Sequence, residues 1–276
     1  MRGKTGPAPQ MSNSAVRPDP EQQSAHRLRL LSYNIQAGVD TQRFREYLTQ
    51  SWKHVLPHRE RLNNLNRIAV MLEGYDIVGL QEVDSGSLRS GFIDQTEYLA
   101  YRAGFPFWFR QINRRLGKIA QHINGALSRY RPDRISEHRL PGLPGRGAIL
   151  LEFPTSDGGT FGVCILHLAL GRRARKRQLA YVTGLVSEYP YLVLMGDFNC
   201  DSYSAEFQHL VDSANLRGLE TQMKTFPSWR PRRNLDHILV SPSLEMGPAH
   251  VLDYAMSDHL PVSMEVALPQ GVTIAH

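Results

Sequence analysis

Six short polar clusters, each set against an apolar run, constrain this chain more than any other feature. In order they are Ser32-Tyr33-Asn34, residues 80–84 (LQEVD), residues 165–168 (ILHL), residues 196–199 (GDFN), Leu235-Asp236-His237 and residues 257–262 (SDHLPV). The first four close a strand-like run and the last two open one. Apolar runs of four to eight residues read as buried strands. Acids, amides and imidazoles repeatedly placed at strand ends therefore gather at one edge of a layered β core. These residue types suit a hard divalent cation and the hydrolysis of a phosphate ester.

The chain between the clusters supports that picture. Residues 27–35 alternate and read as a first strand, whereas residues 36–58 show no clean period and read as a loop with some helix. Leu62, Leu65, Ile68, Ala69 and Leu72 recur at helical spacing across residues 59–72, and Gly74 follows as a stop. A short strand over 76–80 then delivers Glu82. Further helices are expected over 95–103, 172–187 and 204–213. Strands are expected over 105–110, 123–128, 134–139, 147–153, 160–167, 191–195, 234–240, 249–255 and 260–268, with a basic loop over 114–122. Closely spaced strands broken by a few helices predict two sheets packed face to face with helices outside. The chemical residues come from both halves and are useful only if they meet. One unit, residues 27–270, is therefore expected after a disordered tail, residues 1–26, which has too few apolar side chains to offset ordering entropy.

Of the 276 residues 41% are hydrophobic, enough for a sizeable core, and the formal net charge is +6. A positive balance points to an anionic partner. Nucleic acid, an acidic membrane surface and small phosphate esters all remain open, as does an ordinary Arg-rich surface. Cys164 and Cys200 have no metal-ligand spacing and read as reduced, buried thiols of a cytoplasmic chain. No run approaches the ~20 apolar residues of a membrane span, and the first 25 residues carry no apolar leader.

Each candidate residue has a plain reading beside the chemical one. Asp197 follows an apolar run and Gly196; with Asn199 it can orient a water, but Asp-x-Asn is also common in turns. Glu82 ends IVGLQE, and a carboxylate there needs a cation, either a metal or a salt-bridge partner. His167 could be a core histidine. Asp258-His259 and Asp236-His237 repeat a dipeptide in which the acid can fix the imidazole. Strand alternation lets only one of Asp236 and His237 face a site.

Taken together, SYNIQAG, LQEVD, GDFNCD and SDHLPV, with NGALSR at 124–129 and Arg146 to Ala148, resemble the endonuclease/exonuclease/phosphatase superfamily over nearly the whole chain after the tail. The resemblance implies an α/β four-layered sandwich of two mixed, mostly antiparallel sheets flanked by helices. It implies metal-side ligands Asn34, Glu82 and Asp258 for Mg²⁺, with Mn²⁺ as the alternative. It further implies Asp197 as the water-activating base with Asn199 as its orienting partner, and His259 as the phosphate-contacting histidine oriented by Asp236. His167 is then a candidate for leaving-group protonation, and Asn124, Asn199 and His259 are substrate contacts.

The substrate class is less constrained. Five of the six residues 172–177 are cationic and follow His167 closely; a solvated helix face and a substrate-attracting surface are equally open. Arg110, Arg114, Arg115 and Lys118 lie beside Phe107, Trp108 and Phe109, a mixture that suits base stacking or an interfacial anchor. Trp229 with Arg230, Arg232 and Arg233 precedes Asp236. The expectation is a divalent-metal-dependent phosphoesterase, first a phosphodiesterase acting on nucleic acid, second one acting on an anionic lipid headgroup or small molecule, with phosphatase activity also open. A catalytically silent polyanion-binding module is the third reading.

Overall fold

The structure is a computed structural model and describes residues 25–36, 58–86, 93–116, 120–142, 144–218 and 223–275. The expected tail, apart from its last two residues, and nearly all of the expected loop at 36–58 lie outside the described residues. Eleven strands and four helices occur in the order β1 (Arg27–Asn34), α1 (His58–Leu72), β2 (Ile77–Val83), α2 (Gln95–Ala103), β3 (Phe107–Leu116), β4 (Ala120–Ser128), β5 (Arg134–Arg139), β6 (Gly147–Pro154), β7 (Thr160–His167), α3 (Arg172–Val186), β8 (Tyr191–Asp197), α4 (Ala205–Ser213), β9 (Asp236–Val240), β10 (Glu245–Val251) and β11 (Val262–Ala267) among the described residues.

They form a six-stranded sheet, β10-β11-β1-β2-β4-β3, and a five-stranded sheet, β5-β6-β7-β8-β9. Each sheet holds one parallel pair, β1 with β2 and β7 with β8; the other neighbours are antiparallel. A parallel pair needs a crossover, and α1 and α3 lie on the two crossovers. Alternation then fixes the layers. Leu28 and Leu30 of β1 meet Val163 and Ile165 of β7 and Val193 and Met195 of β8 between the sheets. Leu31 and Tyr33 point the other way, onto Leu65, Ile68 and Leu72 of α1 and Leu99 of α2. Cys164, Leu166, Leu192 and Leu194 likewise pack on Leu179 and Val182 of α3 and Phe207 of α4. Both cysteines are reduced and buried.

Two expectations are corrected. The hairpin β3–β4 extends through most of the expected basic loop, pairing Arg114 with His122 and Leu116 with Ala120. Two of its aromatics are partly committed to the cores: alternation sends Phe109 against the inter-sheet core and Trp108 against the α1–α2 core. The strand expected at 249–255 instead runs from Glu245 to Val251 as β10. Its pairing with β11, from Glu245 opposite Ala267 to Val251 opposite Val262, overrides its weak local pattern.

Candidate active site

The row of functional groups starts from strand register. His167 pairs with Asp197 across β7–β8, and Asp197 with Asp236 across β8–β9. Counting by twos from Val163, Val193 and Val240, all three point between the sheets, so they form a row at one level. Asn34 ends β1 opposite Gln81 of β2 in the facing sheet. The row requires Gly196. Its φ is +147°, and a Cβ there would lie 2.0 Å from the Leu166 carbonyl oxygen. The glycine thus does more than leave room beside the acid; it permits β8 to press onto β7.

Asp197 is the hub. Its Oδ1 accepts the Asn199 backbone N–H at 2.9 Å. Its Oδ2 accepts the side-chain N–H groups of Asn34 at 3.2 Å and Asn199 at 3.3 Å. The Nε2 atoms of His167 and His259 stand 3.3 and 3.9 Å from the same oxygen. Burial alone would raise the pKa of Asp197, but His259, His167 and the Asn199 N–H overcome it and hold the carboxylate well below its usual range. Asn199 sits in the turn that Asp-x-Asn also allowed. It has φ +53°, and this turn returns its amide to Asp197 while a second N–H reaches the Leu168 carbonyl at 2.9 Å.

His259 lies across the row from Asp197. Its Nδ1 is 2.8 Å from Asp236 Oδ2, and the Phe226 ring packs 4.9 Å away. Burial pulls its pKa down, yet Asp236 and Asp197 outweigh that and push it up to about 10. Asp236 Oδ2 also accepts the Thr225 hydroxyl. His237, by contrast, faces outward. It sits against Phe207 and Phe198, with Nε2 2.9 Å from the Cys200 carbonyl. Burial lowers its pKa.

Glu82 reaches the site through a bulge. Leu80 pairs with Gly125 and Val83 with Ile123, so Gln81 and Glu82 together oppose Asn124. Glu82 takes φ +56°, and such bulges re-aim a side chain at the end of a ladder. Its Oε1 ends 3.9 Å from His167 Nε2. Asp258 completes this side. Burial lifts it to about 6 and Glu82 adds to the rise, against the pull of His259. Two carboxylates whose charges repel in a mostly buried place are what a cation would relieve. Asn34 Oδ1 accepts the Gln36 N–H at 3.2 Å and retains a second lone pair. Asp197, Asp236 and His259 also bring ligand-type atoms within 4.8 Å of one another and could hold an ion. The His259–Asp236 hydrogen bond and the high pKa of His259 favour a proton there instead.

Asn124, expected as a substrate contact, is held by protein partners. Its Nδ2 donates to the Gly147 carbonyl at 2.8 Å and to Gln111 Oε1 at 3.5 Å, leaving only its carbonyl oxygen unpartnered. Two further contacts of these groups are not among the expected site residues, although Arg146 opens one of the matched blocks. Thr225 and Arg146 lie in loops, and only the fold brings them to Asp236 and His167 (Arg146 Nη1 to His167 Nδ1, 3.3 Å).

The family model for the Endonuclease/Exonuclease/phosphatase family matches residues 31–259, a span that contains every one of these groups. The chain belongs to that family. Members hydrolyse phosphate esters, and the α/β sandwich seen here is their fold. A structure of an endonuclease/exonuclease/phosphatase family protein from Bacteroides thetaiotaomicron superposes with TM-score 0.68 at 19% identity, covering 88% of this chain and 98% of that one. The mannosyl-6-phosphatase Bt3783 of the same organism gives 0.66 at 20% identity, covering 87% of this chain and 100% of that one. The human Nocturnin catalytic domain gives 0.61 at 19%, covering 87% and 94%. At these identities the likeness concerns the fold. Escherichia coli YbhP is 30% identical over 161 residues, which are 53% of this chain and 63% of YbhP.

The basic stretch after His167 divides in two. Arg175 is buried, with Nη2 2.9 Å from Glu206 Oε1, and it also donates to the carbonyls of Ala169 and Leu170. Arg172 pairs with Glu206 Oε2 at 3.1 Å. These two arginines tie α3 to α4, whereas Arg173, Lys176 and Arg177 are exposed. Arg175→Ala is expected to cost about 3 kcal/mol, the scale for breaking a buried ion pair. A urea midpoint equal to wild type would show that Glu206 finds another partner.

Proposed function

We propose that residues 27–270 form a divalent-metal-dependent phosphodiesterase, with a nucleic-acid backbone as the first substrate. The observation that carries this reading is a buried carboxylate, Asp197, held between two imidazoles, with Glu82 and Asp258 crowded beside them. Glu82 and Asp258, with Asn34 Oδ1, would hold Mg²⁺ or Mn²⁺. The ion would neutralise charge building on the phosphoryl oxygens and leaving group. Asp197, kept ionised, takes a proton from the attacking water while Asn34 and Asn199 hold its orientation. His259, braced by Asp236, directs its Nε2–H at a phosphoryl oxygen. His167 gives its Nε2 proton to the leaving oxygen.

Charge supports a polyanionic substrate. A helix N-terminus is the positive end of the dipole, where cations are unfavourable. α3 nevertheless begins with Arg172 and Arg173, close after His167. Arg173, Lys176 and Arg177 remain exposed to an anion. Replacing these three with Gln is expected to weaken DNA binding and flatten its salt dependence by roughly one unit of log–log slope for each phosphate no longer neutralised. Hydrolysis of bis-p-nitrophenyl phosphate should stay unchanged. A slope identical to wild type would make the cluster a solvated face.

A lipid or other amphiphilic phosphodiester is the second reading. Leu170 and Tyr203, 76% and 73% exposed, stand on the loops that follow His167 and Asp197. The test is purified protein with Mg²⁺ or Mn²⁺ against bis-p-nitrophenyl phosphate, plasmid DNA, an abasic oligonucleotide and anionic phospholipid vesicles, each with and without EDTA. Full hydrolysis after exhaustive chelation would overturn the metal requirement, and no hydrolysis of any substrate would leave the polyanion-binding module. Glu82→Gln should move the metal titration to higher concentration with little change in stability; an unchanged titration would remove Glu82 from the ligands.

A further inference from the structure

We infer that Arg146 is a positioning residue that fixes which nitrogen of His167 carries the proton, and thereby the direction in which that imidazole can donate. The kinetic consequence rests on the phosphodiesterase reading; the tautomer itself does not. Arg146 directly precedes β6, and the β6–β7 register sets its neighbour Gly147 opposite His167. Its Nη1 lies 3.3 Å from His167 Nδ1. A guanidinium has only donors and does not lose its proton in proteins. The Nδ1 facing it must therefore present a lone pair.

The other edge of the ring faces two carboxylates among the described residues. Nε2 stands 3.3 Å from Asp197 Oδ2 and 3.9 Å from Glu82 Oε1. His167 is only 3% exposed, so these protein partners dominate its surroundings. A donor on one side and carboxylates on the other leave one arrangement, with Nδ1 bare and Nε2 protonated. His259 is braced in the opposite sense. An acceptor, Asp236, faces its Nδ1, which therefore carries a proton.

The two imidazoles meet the same Asp197 oxygen, yet one is backed by an arginine and the other by a carboxylate. That difference separates their work. His259 can keep its charge against a phosphoryl oxygen. His167 holds a single transferable proton, already on the nitrogen that faces the reacting groups. Without Arg146 the ring could place that proton on Nδ1, away from the site. Nε2 would then be an acceptor beside carboxylates, and its donor function would be lost.

The experiment uses the full chain labelled with ¹⁵N-histidine, metal-free and with Mg²⁺. Long-range ¹H–¹⁵N correlation reports which ring nitrogen is protonated, and His167→Gln assigns the signal. Wild type should show bare Nδ1 and protonated Nε2. Arg146→Met should lose that preference, and Arg146→Lys, which keeps a charged donor, should largely restore it. With bis-p-nitrophenyl phosphate and Mg²⁺, Arg146→Met should lower kcat by about 10- to 100-fold, the scale for losing the partner that orients a functional histidine. KM should move little, and Arg146→Lys should recover part of kcat. A protonated Nδ1 in wild type would overturn the inference even if Arg146→Met fails to fold. So would an unchanged spectrum in Arg146→Met, or a rise in KM with unchanged kcat, which would make Arg146 a substrate contact. If wild type hydrolyses nothing, the phosphodiesterase reading fails while the spectra still decide the tautomer.

Discussion

Asp197→Asn is expected to lower kcat on bis-p-nitrophenyl phosphate by ~10²–10⁴-fold, the range for lost general acid–base catalysis. The substitution keeps the shape and removes the charge at the point where several donors converge. Asn34, Asn199, His167 and His259 all approach Asp197 from its two oxygens. An amide nitrogen there would face donors rather than offer an acceptor, and the imidazoles would lose the anion that orders them. Unfolding midpoints measured alongside turnover separate chemistry from folding. A loss of turnover under about tenfold in a folded variant would take Asp197 out of the chemical step. His259→Ala belongs to the same comparison, because it removes the cation that holds Asp197 ionised. His167→Ala tests the second imidazole, and a small loss would leave proton delivery to another group.

Gly196→Ala is expected to be the most destabilising single change near the site. The added carbon would sit 2.0 Å from the Leu166 carbonyl oxygen, at a φ of +147° that L side chains rarely adopt. Neither neighbour can yield, since both are backbone in paired central strands of one sheet. A cost above about 4 kcal/mol follows, in the class reserved for backbone incompatibility and severe overpacking. Equilibrium denaturation in urea reads it directly. A midpoint within experimental error of wild type would mean that β8 can shift away from β7. The register that sets Asp197 beside His167 would then be softer than described.

Much of the fold was legible because most elements state themselves locally. Over residues 172–187 the helical period of Leu179, Val182 and Val186 is visible without a partner, and α3 ends at Val186, one residue short of the expectation. The buried strands β7 and β8 are continuous apolar runs bounded by polar residues. β10 was misplaced because its residues, Glu245–Val251, carry no such run; only its ladder with β11 makes them a strand. The hairpin β3–β4 was cut short for a similar reason. Its basic residues read as loop, while cross-strand hydrogen bonding continues beneath them.

The candidate residues were visible as polar types at the ends of apolar runs, and period-two alternation correctly allowed only one of Asp236 and His237 into the row. The sequence by itself therefore determined the layered α/β class, the strand ends that carry the polar candidates and an oxygen-rich set of a kind suited to a hard cation. What only the tertiary structure decided are relations between distant segments. It paired Asn34 with Asp197 and set Thr225 against Asp236. It set Asn124 Nδ2 against the Gly147 carbonyl and tied Arg175 to Glu206 rather than to solvent. It also placed Arg146 behind His167. The physical reason is one of range. Propensity and alternation act over a few residues, so they fix which face a side chain takes. Hydrogen-bond partners and charge neighbours depend on strand register and sheet packing between residues tens to hundreds of positions apart, and those are set only when the two sheets close on one another.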